Sequence, residues 1–166
     1  MKHAEKQNSF TLIELVMVIV IVGILAVIAV PRFESFYAIK LDGATKKVVS
    51  DIRYAQQLAI ARHEDYRVVF DVANNNYEVR RVSDGSFATD PFTRADFIVN
   101  FNTDAQYKGI RISNTNFGGT LQFDWQGIPR DGNGTALTSE GSISFSYQGN
   151  NRTIYITPDT GRVRLQ

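Results

Sequence analysis

From Leu15 to Val30 the chain reads LVMVIVIVGILAVIAV, an apolar run without a charge, and back to Phe10 only Thr11 and Glu14 interrupt it. A helix needs about 20 apolar residues to cross a hydrocarbon core, so this segment is long enough to span one. Lys2 and Lys6 precede it, whereas Arg32, Glu34 and Lys40 follow, a distribution that favours a cytoplasmic start and an exported body. Three ordinary readings compete. One is a secretory signal peptide with Val27 and Ala29 as its small-residue cleavage pattern, and another is an uncleaved signal anchor. The third is a buried core helix, which the length and aliphatic density argue against. Glu14 points to something more specific: a carboxylate inside a membrane-embedded helix costs about 2.5–3.5 kcal/mol on insertion scales, so it needs a partner or a purpose.

Beyond Pro31 the composition is that of a soluble domain. The ring of Pro31 removes an amide donor and crowds the preceding turn, which predicts a kink in the helix there. Phe33, Tyr37, Leu41, Ala44, Val48, Ile52, Ala55 and Leu58 then recur at steps of three and four, one face of an amphipathic helix ending near Arg62. Lys46, Lys47, Asp51, Arg53 and Gln57 fall on the other face, and Gly43 is expected to weaken the helix. Period-two stretches follow at 66–72, 77–82, 97–101, 109–113, 121–124, 142–148, 152–157 and 162–165. Asn74-Asn75-Asn76 makes a hairpin turn between the first two because asparagine tolerates positive φ. Residues 83–94 and 127–141 read as loops.

The chain carries 18 basic and 17 acidic residues. Removing the first nine takes Lys2, Lys6 and Glu5 with it and leaves the two signs balanced, so nucleic-acid binding would need a local patch rather than a global field. There is no cysteine, which excludes disulfides, thiolate metal sites and cysteine nucleophiles. No nucleophile elbow or phosphate-binding glycine loop is present. His63-Glu64-Asp65 reads as a helix end, and Asp131-Gly132-Asn133-Gly134 lacks the downstream ligand series of a calcium loop. These features predict neither catalysis, nor a metal site, nor a cofactor.

The string Ser9-Phe10-Thr11-Leu12-Ile13-Glu14-Leu15, with the apolar run and Pro31, resembles the leader and anchor of type IV pilins and type II secretion pseudopilins. The resemblance implies cleavage by a prepilin peptidase between Ser9 and Phe10, methylation of the new Phe10 amine, and a Glu14 that meets the amine of a neighbouring subunit during assembly. The residue before the cut is glycine in that family and Ser9 here. Residues 48–70, the Phe123-Asp124-Trp125-Gln126-Gly127 turn and Gly161-Arg162-Val163 look like the pseudopilin H and FimT group of minor subunits.

The expected fold is thus α+β and pilin-like, a long N-terminal helix with an apolar anchor half and an amphipathic half packed on an antiparallel sheet. A leader (1–9), an anchor (10–31) and a periplasmic globular domain (32–166) follow from it. Expected partners are the inner membrane, the peptidase, other pilin or pseudopilin subunits and secreted cargo. DNA is the alternative partner. On a strand Arg162 and Arg164 share a face with attachment points about 7 Å apart, and Arg152 joins them from the preceding strand. This arrangement resembles the DNA-binding element of FimT-type minor pilins that serve natural transformation; the competing reading is a solvated strand face.

Overall fold

The computed structural model describes residues 10–166, with residues 28–35 described by backbone only. The leader and Ser9 lie outside the described residues. The chain divides into two compact units, one ending at Phe36 and one running from Tyr37 to Gln166. A single helix, α1 (Leu12–Arg62), is followed by nine strands. Pro31 lies inside the helical span, and its side chain is not among those described, so the expected kink stays an expectation.

In the first unit the large aliphatic side chains from Leu12 to Val27 are all half-exposed or more, the least exposed being Val16, Val18 and Ile21 at 49%. They belong to successive turns and point in all directions, so the described part of this segment is apolar around its whole circumference.

In the second unit two antiparallel sheets share the core. The larger has the order β3 (Ile98–Asn100), β2 (Asn76–Arg81), β1 (Tyr66–Asp71), β5 (Thr120–Phe123), β6 (Pro129–Arg130). The smaller runs β4 (Arg111–Thr115), β7 (Gly141–Tyr147), β8 (Asn150–Ile156), β9 (Val163–Leu165). Burial alternates along β1 and β7, as a sheet with one covered face requires. Leu41, Ala44, Val48, Ile52 and Ala55 of α1 are fully buried in one cluster with Val68, Tyr77, Phe123, Phe145 and Ile154 from both sheets.

The antiparallel body, whose topology the sequence leaves open, divides into two sheets. Two expectations need correction. The stretch expected as a loop at 127–141 contains β6, a two-residue strand too short to show period-two alternation. Asp51, assigned by periodicity to the solvent face, is 4% exposed. It accepts hydrogen bonds from the Tyr77 hydroxyl at 2.5 Å and Lys47 Nζ at 2.7 Å, which offset part of the cost of burying the carboxylate.

Asn75 has the positive φ (57°) expected of the first hairpin turn. Its buried amide also joins the sheets: Nδ2 donates to the Ile110 carbonyl at 2.7 Å, and Oδ1 accepts from the Ile112 amide at 2.8 Å.

Candidate functional site

The helix start is built by Thr11. It precedes the first helical residue, and its Oγ1 accepts a hydrogen bond from the Glu14 amide at 3.3 Å, the N-cap arrangement that satisfies one of the unpaired amides of the first turn. Thr-x-x-Glu is the sequence pattern of a capping box, a signal that the apolar run obscures. Glu14 therefore sits in the first turn, where its negative charge opposes the positive end of the helix dipole. Phe10 lies just ahead of the cap with its side chain 79% exposed. The backbone nitrogen of Phe10 and the Glu14 carboxylate thus occupy the same end of one apolar helix. Among the described residues no helix is long and apolar enough to cross a membrane. The described side chains of the apolar run stop at Val27, short of Val30 where the run ends in sequence.

The second candidate site lies on the smaller sheet. Arg164 is exposed on β9 beside buried Val163, and Arg162 just before the strand is also exposed, so the two share a face. Arg164 is engaged: Nη2 lies 3.0 and 2.9 Å from the two carboxylate oxygens of Glu140, and the guanidinium stacks over the Tyr155 ring at 4.7 Å. Arg152 pairs with Asp42 at 2.6 Å. Arg162 alone of the three has no carboxylate partner among the described residues. Arg152 does not join them: strand register sets Arg164 opposite Tyr155, whereas Arg152 shares the other side of β8 with Ile154 and Ile156, where it meets Asp42 of α1. Only Arg162 and Arg164 share a face, and the charge of Arg164 is locally neutralised.

The FDWQG and GRV motifs prove to be packing devices. Gln56 of α1 donates from Nε2 to the Gly127 carbonyl at 2.9 Å and to the Thr160 carbonyl at 3.0 Å, locking two turns onto the helix. Gly161 has φ +63°, and a Cβ there would lie 2.5 Å from Gln56 Nε2 and 3.0 Å from the Gly127 carbonyl oxygen. Asp124 organises the other turn: Oδ1 accepts from the amides of Gln126 and Ile128, and Oδ2 takes the Arg130 guanidinium at 2.8 Å. Trp125 remains 51% exposed, its ring 5.9 Å from that of His63. His63 itself ends α1: its φ is 53° and the Glu64 amide reaches back to the Ala59 carbonyl at 3.3 Å, a left-handed helix cap. Asp131 Oδ1 accepts from the amides of Asn133 and Thr135, so this carboxylate closes its own turn.

A capped apolar helix with an acid in its first turn, continued by an amphipathic half over antiparallel sheets, is a pilin-like architecture carrying a prepilin-type amino terminus. Residues 5–30 match the model of the prokaryotic N-terminal methylation motif. The type IV minor pilin FimU of Pseudomonas aeruginosa has a similar fold, with TM-score 0.52 and 16% identity over 76% of this chain and 87% of that one. The minor pseudopilin EpsH from the type 2 secretion system of Vibrio cholerae is also similar, with TM-score 0.55 and 12% identity over 76% of this chain and 96% of that one. No curated protein matches the chain.

Proposed function

We propose that this chain is a minor structural subunit of a pilus-like filament, of the kind formed by type II secretion pseudopili or type IV pili. In this reading the leader is removed between Ser9 and Phe10 and the Phe10 amine is methylated. Residues 10–31 wait in the bacterial inner membrane, and residues 32–166 face the periplasm. Assembly then moves the apolar helix from lipid into a bundle of like helices. Aliphatic packing replaces lipid contact, and the Glu14 carboxylate meets the amine of a neighbour, which offsets the cost of burying either charge alone. The observation that carries this reading is the Thr11-capped helix start with Glu14 in its first turn, followed by aliphatic side chains exposed on every side. The role is structural, with other pilin or pseudopilin subunits and the prepilin peptidase as partners and secreted cargo as a further one.

Two measurements test it. Mass spectrometry of the protein from its native host is expected to show N-methylated Phe10 as the first residue; a chain that retains residues 1–9, or is trimmed only after Ala29, overturns the processing step. Glu14→Ala is expected to insert in the membrane as the parent does and to be missing from sheared filaments. Incorporation at the parental level overturns the pairing role of Glu14.

The second reading is a FimT-type minor pilin that captures DNA for uptake through Arg162, Arg164 and Arg152. The shared exposed face of Arg162 and Arg164 supports it, and the Glu140 and Asp42 ion pairs weigh against it. Salt-sensitive retention of DNA by the parent, lost on replacing Arg162 and Arg164 with alanine, would establish it; no retention by the parent would exclude it.

A further inference from the structure

A cleft of about 570 Å³ lies between α1, the turn at Pro91 and β9, within the roughly 300–1,000 Å³ range of clefts that hold ligands. Lys46, Ser50 and Arg53 of α1 line it, with Phe92 and Leu165. β9 is an edge strand of the smaller sheet. In an antiparallel pair, alternate residues turn both backbone groups toward the partner strand, and the residues between turn theirs away. Thr153 and Gln166 exchange both bonds, at 3.1 and 2.9 Å, and the Thr157 amide donates to the Arg162 carbonyl at 2.9 Å. Arg162, Arg164 and Gln166 therefore face β8, and Val163 and Leu165 present their amides and carbonyls to the free edge. Arg53 meets that edge from α1, donating from Nη2 to the Val163 carbonyl at 2.8 Å. The Leu165 amide and carbonyl have no hydrogen bond among the described residues.

The cleft is positively charged as well. Lys46 and Arg53 are exposed, and neither has a carboxylate partner among the described residues. The nearby acids are committed. Asp51 pairs with Lys47 at 2.7 Å, and Asp90 Oδ1 accepts from the amides of Phe92 at 2.7 Å and Thr93 at 3.2 Å. Phe92, 84% exposed, and Pro91 give the cleft one apolar wall. An open strand edge invites pairing with another chain. Where it opens into a cleft, backbone hydrogen bonds supply affinity and the lining side chains supply selection, the mode of strand addition.

We infer that this cleft takes an acidic, extended segment of another protein chain, which adds to β9 through the Leu165 amide and carbonyl. Its carboxylates lie against Lys46 and Arg53, and its apolar side chains against Phe92. The open carbonyl of Leu165 separates this site from a nucleic-acid track, because a phosphate backbone has no amide to donate to it. The role goes beyond a filament subunit's packing, and it holds whether or not Arg162 and Arg164 bind DNA.

The test uses the full chain in detergent, with backbone amide signals followed by NMR as peptides are added. The acidic probe is acetyl-Glu-Val-Glu-Val-Glu-amide. Its counterparts are acetyl-Lys-Val-Lys-Val-Lys-amide and the acidic peptide N-methylated at its three central amides, which removes donors from both of its edges. A saturable downfield shift of the Leu165 amide is expected with the acidic probe alone. Lys46→Glu is expected to weaken that binding about fivefold. Leu165→Pro loses the outward amide but keeps the bonds to β8, and is expected to weaken it about three- to tenfold. Equal binding of the N-methylated peptide would leave only an anion site and overturn strand addition. Equal binding of the lysine peptide would overturn the preference for acid, and no saturable shift in the parent removes the site altogether. The N-methyl comparison needs no variant, so the test stands even if Leu165→Pro does not fold.

Discussion

Asp51 lies on the helix flank that periodicity gives to water, yet it is enclosed with Tyr77 and Lys47. Desolvation pushes its carboxyl above the ordinary 3.8, and this outweighs the hydrogen bonds from Lys47 and Tyr77 that favour the anion. The folded chain therefore holds this proton more tightly than the unfolded chain does. Its contribution to stability is complete below 3.8 and declines as pH rises through the elevated folded value. Asp124 runs the other way. Burial raises its carboxyl, but Arg130 and the amides of Ile128 and Gln126 together bring it below 3.8. Its contribution is present above 3.8 and is lost as pH falls through the lowered value. Urea midpoints measured across the acid range are expected to show a difference, parent minus Asp51→Asn, that falls as pH rises, since asparagine still accepts from the Tyr77 hydroxyl, has no proton to lose, and leaves the opposing contribution of Asp124 the same in both proteins. The same pH slope in both proteins would show that Asp51 is ordinary. Periodicity missed this residue because it records which face a side chain leaves from, and a hydrogen-bonded carboxylate can be accommodated where an unpaired one cannot.

Among the elements, α1 is the scaffold against which the later turns are placed. Gln56 reads to the eye as one more polar helix residue, but it holds the carbonyls of Gly127 and Thr160 together across the chain. Gly161 has to be glycine for two reasons: its φ is in the left-handed region, and Gln56 Nε2 already fills the space of a Cβ. Gly161→Ala is expected to cost about 2–4 kcal/mol, from the positive φ and the overpacking combined, as a lowered urea midpoint. Gly134→Ala serves as the comparison. It has φ +81° with open space around the added methyl, and should lose only the backbone part, about 1–2 kcal/mol. Equal losses at both positions would show that contact with Gln56 contributes nothing. The strands were legible from alternation because each presents one face to a shared core. β6 was not, since two residues cannot display a period, and its pairing with β5 is decided by the Asp124 turn that precedes it.

At the scale of the molecule, every buried apolar residue among those described, from Leu41 to Val163, lies in the unit beginning at Tyr37. The fragment Tyr37–Gln166 is accordingly expected to unfold in urea as one cooperative transition in aqueous buffer, whereas the full chain should require detergent to stay dispersed. A gradual, non-cooperative transition of the fragment would show that its core depends on the preceding segment. The sequence itself shows an uninterrupted apolar run followed by mixed periodicity, while the boundary between the compact units falls at Phe36 and Tyr37. The prepilin-type amino terminus was legible too, because an acid at the head of an aliphatic stretch and the short string around it are local features carried by adjacent residues; the Thr11 cap was not, since the apolar run obscures it. What adjacency could not convey is which distant residues become neighbours. The division into two sheets, the burial of Asp51 under Tyr77, the neutralisation of Arg164 by Glu140 and the separation of Arg152 from Arg162 and Arg164 all depend on strand order and register. Those are set by how the whole core packs, since the energy of a charge or a glycine is decided by atoms that arrive from elsewhere in the chain.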